Sequence, residues 1–187
     1  MNQDMFIATA LENPATRAVL ERLPALECSD AWLVAGAIFQ PVWNVLTHRA
    51  VDYGIKDYDI SYFDNDTSWE AEDRIIKRAA KLFGDLGVPV EVRNQARVHI
   101  WYEQKFNAPY PPLTRANEGI DRYLTVCSMV GVRCAGRDYE IYAPNGFDDV
   151  ENLVVRPNRA PNFRPDRYRE KAERWRGRWP EITIVAA

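Results

Sequence analysis

The stretch IKDYDISYFDND, residues 55–66, constrains the fold of this chain more than any other. Its centre alternates as a strand does, and residues two apart on a strand face the same side. Tyr58 and Ile60 then turn into a core, while Asp57 and Asp59 project together on the other face. Aspartate is a poor strand former, and like charges side by side on a sheet repel. Two carboxylates on one face ionise cheaply only with a cation between them or water around them. A hard divalent metal is the usual remedy, because Mg²⁺ takes one or two carboxylates together with phosphate oxygens and waters. Taken alone, D-x-D fits a solvated strand entrance as well, so the flanking sequence must decide.

Upstream, Ala31 to Gly36 (AWLVAG) reads as a short buried strand that stops at a glycine. The following AIFQPVWNVLTHRA has Phe39, Val42, Trp43 and Leu46 at helical spacing, with Pro41 tolerable only in a first turn. Glycine at a strand-to-helix junction lets backbone N–H groups approach an anion, and the helix start favours negative charge. Downstream, Asp66 to Glu70 supplies N-cap oxygens and early acids for a long helix that Gly87 ends. Val88 to Val92 (VPVEV) is a third strand, in which Glu91 alternates outward from Val90 and Val92. A glycine-edged anion cradle, an aspartate pair and a third carboxylate thus follow one another in order.

The remaining chain is read more coarsely. Met5 to Leu23 carries apolar residues at helical spacing, and Arg97 to Tyr102 (RVHIWY) alternates as a further strand would. Leu124 to Val132 and Asp138 to Pro144 flank Gly136 as a hairpin. Phe147 to Leu153 suggests a short helix, with Asp148 and Asp149 suited to its first turn. The expected class is α/β (α+β): a mixed sheet flanked by helices, with a C-terminal strand hairpin and helix, in one domain spanning residues 1–187.

A 47% apolar fraction supports a sizeable core, and a net charge of −3 argues against a globally basic nucleic-acid binder. No apolar run is long enough for a membrane span, and the polar, early-acidic N-terminus is unlike a secretory signal. Cys28, Cys127 and Cys134 have no metal-binding spacing and read as free thiols in a reducing cytoplasm. Charge is uneven along the chain. Nine basic side chains stand against three acids between Arg156 and Arg178, so that segment carries +6 and the rest −9. A nucleic-acid patch is one reading of this basic tail, at about residues 161–180. Its interleaved acids, such as Glu170 with Arg174, favour a solvated helix that Trp175 and Trp179 dock on the body.

The order strand–Gly, helix, D-x-D strand, helix, carboxylate strand is similar to that of the DNA polymerase beta type nucleotidyltransferase superfamily. More closely, VAGAIFQPVWN, DYDISYFD, VRNQARVHIWYEQKF, APNGFDDVENLVVRPN and WRGRWP resemble a bacterial nucleotidyltransferase-like family, from about Ala31 to Pro180. The resemblance implies a cytoplasmic, Mg²⁺-dependent transfer of a nucleotidyl group from a nucleoside triphosphate to an unidentified acceptor. It places the superfamily's glycine on Gly36, its metal-binding acids on Asp57 and Asp59, and its third acid on Glu91. The position after the glycine is usually Gly or Ser and here is Ala37, and the spacing from Gly36 to Asp57 is longer than is common. The Ala37 departure supports an alternative, a non-catalytic nucleotide- or metal-binding regulatory protein on the same fold.

Two further residues join the expected nucleotide site. Asn44, on the helix after Gly36, is a candidate to line it, and Arg97 is a candidate phosphate contact through its bidentate guanidinium. His48 and His99 are too few and too far apart for a metal site. Asp64 and Asp66 suit capping of the helix that follows them.

Overall fold

The computed structural model describes residues 1–136 and 138–187. Two short helices open the chain, α1 (Gln3–Ala10) and α2 (Pro14–Arg22). The single helix expected over Met5 to Leu23 is thus two: Asn13 accepts from the N–H groups of Ala15 and Thr16, and Pro14 occupies the first position of α2. That cap-plus-proline pair restarts the helix because proline's missing N–H is unneeded there. There follow β1 (Trp32–Val34), α3 (Gly36–Leu46), β2 (Tyr58–Tyr62), α4 (Trp69–Phe83), β3 (Val90–Asn94) and α5 (Val98–Phe106). The hairpin β4 (Gly131–Ala135) and β5 (Asp138–Tyr142) comes next. Then come α6 (Asp148–Glu151), β6 (Val154–Val155), α7 (Pro165–Arg176) and β7 (Thr183–Ile184).

Five strands make a mixed sheet in the order β3-β2-β1-β4-β5. β2 and β3 are parallel, as their crossover through α4 requires, and the other neighbours are antiparallel. β6 and β7 pair separately. The sheet divides the sequence by alternation. Leu33, Tyr58, Ile60, Tyr62, Val92 and Val132 join the main core with residues of α1, α2, α3 and α4. On the opposite face Trp32 and Val34 pack with Ala116, Ile120 and Met129. Asp59, Ser61, Glu91 and Arg93 occupy the alternate positions of β2 and β3, which is where the site lies.

Two expectations from alternation fail. Arg97 to Tyr102 is not a strand: residues 95–97 form a 3-10 turn that runs into α5. Asn94 decides this, because its side-chain carbonyl accepts from the N–H of Ala96 and starts the turn. Ile100, which alternation would place in a sheet, is 55% exposed. Leu124 to Val132 also enters the sheet late. Thr125 makes an isolated bridge with Pro157, residues 126–128 turn, and the strand begins only at Gly131. The turn of the expected hairpin includes Arg137, which lies outside the described residues.

Pro41 sits inside α3, not in its first turn. It cannot donate to the carbonyl four residues earlier, that of Ala37. The hydroxyl of Thr16, fully buried on α2, donates to that carbonyl instead at 2.7 Å. The backbone break is thereby satisfied by a neighbouring helix.

At the other end, α7 is clamped by aromatic packing. Trp175 meets Phe39 and Trp43 edge-on with centroids 5.3 and 5.6 Å apart, and Trp179 meets Trp43 at 5.5 Å. Edge-to-face pairs of this kind contribute about 0.5–1.5 kcal/mol each beyond their burial. They hold α7 across the start of α3. Among the described residues no helix is long and apolar enough to cross a membrane, and all three cysteines are free thiols.

Candidate active site

Asp57 and Asp59 line one wall of a cavity of about 480 Å³. The parallel register sets Asp59 opposite Glu91 on β3. Burial pushes the Asp59 carboxyl up to about 6, and the charges of Asp57 and then Glu91 push the same way. Asp57 has Lys56 as an exposed ion-pair partner at 3.2 Å. The Glu91 carboxylate is about half exposed and leans towards Arg93 at 3.4 Å. The register therefore brings Asp59 and Glu91 side by side, while Asp57 lies just before β2 and Glu91 lies outside the lining of the cavity. Among the described residues, however, no three His, Cys, Asp or Glu side chains stand close enough together to hold a metal ion between them.

Across the cavity lies the start of α3. Ala35 reaches it with φ 53° and ψ −123°, a conformation costly for a residue with a Cβ. Its carbonyl already accepts from the N–H groups of Ile38 and Phe39. The N–H groups of Gly36 and Ala37 come before these first intrahelical bonds, so they have no partner within the helix. An eleven-residue helix thus presents its positive end at the cavity, with Gly36 in the wall.

Four cations complete the lining: Lys56, Lys171, Arg174 and Arg178. Three of them come from α7 or just beyond it, the basic tail. Its acids look elsewhere, Glu170 pairing with Arg167 and Glu173 with Arg176. Lys171 carries no carboxylate ion pair among the described residues, and burial lowers its pKa. Arg178 donates to the carbonyl of Gly54 at 2.8 Å. Gly54 has φ +70°, and a Cβ there would come within 2.9 Å of the Trp179 ring, so only glycine lets the loop before β2 close on the C-terminal segment. Sequence reasoning treated these cations as a solvated face. The visible signal was Lys171, Arg174 and Arg178 recurring every three or four residues.

Of three further expected site residues, two have partners away from the cavity and one reaches it through its backbone. Asn44 is fully buried with its amide committed: Nδ2 donates to the carbonyls of Val51 and Tyr53, and Oδ1 accepts from the Trp179 indole. It staples the loop before β2 and so acts on the site from beneath. Arg97 is paired with Glu72 at 3.1 Å, with side-chain exposures of only 15% and 8%, and it lies over the Trp69 ring. It lines neither cavity, and its Nε and Nη1 are buried without a hydrogen bond. Ala37 is buried, and its contribution to the site is its backbone.

A second cavity, of about 340 Å³, shares Asp59 and Lys171 with the first and runs under α5. Trp101, Tyr102, Phe106 and Tyr110 give it an aromatic wall that alternation in the RVHIWY stretch concealed.

The fold is a mixed sheet flanked by helices, with Asp57 and Asp59 facing a helix start across one cavity. The chain belongs to the nucleotidyltransferase family, whose profile matches residues 21–184. Its fold is similar to that of a solved NMR structure described as revealing a CCA-adding enzyme head domain. The TM-score is 0.79 at 24% identity, over 100% of this chain and 97% of the other. At that identity the likeness is one of fold. No curated protein matches the chain.

Proposed function

We propose that this protein transfers a nucleotidyl group from a nucleoside triphosphate to an acceptor hydroxyl or phosphate, with Mg²⁺ held by Asp57 and Asp59. The observation that carries the reading is the opposition, across one cavity, of two carboxylates to a helix start and four cations. A triphosphate needs both sides. Its outer phosphates take the N–H groups of Gly36 and Ala37, the α3 dipole and the charges of Lys56, Arg174 and Arg178. Its α-phosphate then lies beside the aspartates.

The donor set fits a hard divalent cation. Asp59 is held near 6 by burial and like charge, which marks hard oxygens short of positive charge. Glu91, opposite Asp59 on β3, is the third carboxylate that would join the set. When bound there, Mg²⁺ would supply Lewis-acid chemistry, lowering the pKa of the attacking hydroxyl and neutralising charge on the phosphates. The chain's own groups orient the donor: α3 and the cations fix the leaving pyrophosphate, while Glu91 takes the proton released by the hydroxyl. The acceptor oxygen bonds to the α-phosphorus, the bond from that phosphorus to the bridging oxygen breaks, and pyrophosphate departs with the electron pair.

Pyrophosphate release tests this directly. Asp57→Asn and Asp59→Asn should each abolish Mg²⁺-dependent release, because neither amide neutralises the cation. Undiminished release from either variant removes the assignment. The non-catalytic alternative rests on Ala37, whose side chain offers no hydroxyl to a phosphate. It predicts Mg²⁺-dependent triphosphate binding with no pyrophosphate release from the wild type.

A further inference from the structure

We propose that the aromatic cavity beside Asp59 is the acceptor pocket, built for a molecule of nucleoside-monophosphate size with one flat ring and one phosphate-like anion. The inference rests on the nucleotidyl-transfer reading and names the class of its second substrate. At about 340 Å³ the cavity is of small-ligand size. It meets the triphosphate cavity at Asp59 and Lys171, where an acceptor hydroxyl must reach the α-phosphorus.

Its wall selects a ring. The Tyr102 ring lies 4.4 Å from Tyr110 and 4.7 Å from Phe106, centroid to centroid, and Trp101 flanks them. Such clustered faces stack planar heterocycles. Two polar groups in the lining lack partners. Asn162 is 2% exposed; its Nδ2 donates to the Tyr102 hydroxyl and the Arg122 carbonyl, while Oδ1 has no hydrogen bond. Arg122 Nε is buried and equally without one, and Arg122 has no carboxylate ion pair among the described residues. Buried donors and acceptors left unmade are costly, and a ligand bearing both complements answers them.

Charge separates this pocket from the donor's. The base and ribose of a nucleoside triphosphate are neutral, and its phosphates are met in the other cavity. An unneutralised guanidinium here therefore serves a second anion, carried by the acceptor. The acceptor's hydroxyl attacks the α-phosphorus, its proton passing to Glu91 and pyrophosphate leaving on the far side. The product joins the two molecules through a phosphodiester.

The test is calorimetric titration of the full chain with the four ribonucleoside 5′-monophosphates, their parent nucleosides and ATP. At least one monophosphate should bind about tenfold or more tightly than its nucleoside, as a charge-assisted phosphate contact provides. Arg122→Gln should erase that difference while leaving ATP affinity within about twofold, and Arg122→Lys should retain part of it. Should Arg122→Gln not fold, nuclear Overhauser contacts in the wild type decide, expected between ligand ring protons and Trp101 or Tyr110. The proposal is overturned if no monophosphate binds better than its nucleoside, or if ATP and the monophosphate compete for one site. It is equally overturned if a single-stranded oligonucleotide with a free 3′ hydroxyl binds about a hundredfold more tightly than every monophosphate. Monophosphate binding that depends on Arg122 in a protein that does not bind ATP would support the pocket and sink the donor reading alone.

Discussion

Asp59→Asn should stabilise the metal-free protein at neutral pH while removing its proposed activity. The Asp59 carboxyl is raised from 3.8 to about 6, first by burial and then by Asp57 and Glu91. The folded state therefore binds this proton more tightly than the unfolded state. Stability falls as pH rises from about 4 to about 6, and above that the loss is complete. At about 1.4 kcal/mol per tenfold change, the penalty at pH 7 is at most about 3 kcal/mol. Asparagine is close in shape to the protonated acid and never ionises. The variant should thus match the wild type near pH 3.5 and exceed it by up to about 3 kcal/mol at pH 7.5. Urea unfolding in EDTA across that range measures the gap. A gap of zero at pH 7.5, or one equally large at pH 4, would refute the argument that buried, crowded charge governs this position. Added Mg²⁺ should then stabilise the wild type at neutral pH and narrow the gap, because the ion binds the folded state.

Other outcomes follow from the same geometry. Arg97→Gln strands Glu72 without its partner and should destabilise the protein by about 3–5 kcal/mol, seen in thermal or urea unfolding, as for other broken buried pairs. Arg174→Gln should weaken ATP binding by about tenfold in a titration. Arg176→Gln, on the same helix but paired with Glu173, should not change it.

Local periodicity carried the parts of this fold that local forces decide. Alternation in β2 put Tyr58 and Ile60 inward and the aspartates outward, and the glycine ending β1 marked the start of α3. Periodicity failed where one side chain redirected the backbone. The aromatic and β-branched run Val98 to Tyr102 has strand composition, yet the Asn94 cap turns it into a helix. Asn13 and Pro14 split the first helix in the same way. The roles of Asn44 and Arg97 were hidden for another reason. Their partners, Trp179 and Glu72, lie 135 and 25 positions away, and a polar residue reads alike whether it faces a ligand or a distant side chain. The cations of α7 were visible as a pattern, but only Trp175 and Trp179, packed on α3, determine that this face looks over the aspartates.

The hydroxyl that Thr16 lends to Ala37 ties the amino-terminal helices to the start of α3. Thr16 precedes the span matched by the family profile, whereas the fold likeness extends over the whole chain. A shortened protein beginning at residue 21 would keep every acid and cation of the site and still expose an orphaned carbonyl one turn below Pro41. The smallest piece that satisfies every carbonyl around Pro41 is therefore longer than the stretch that bears the family's signature.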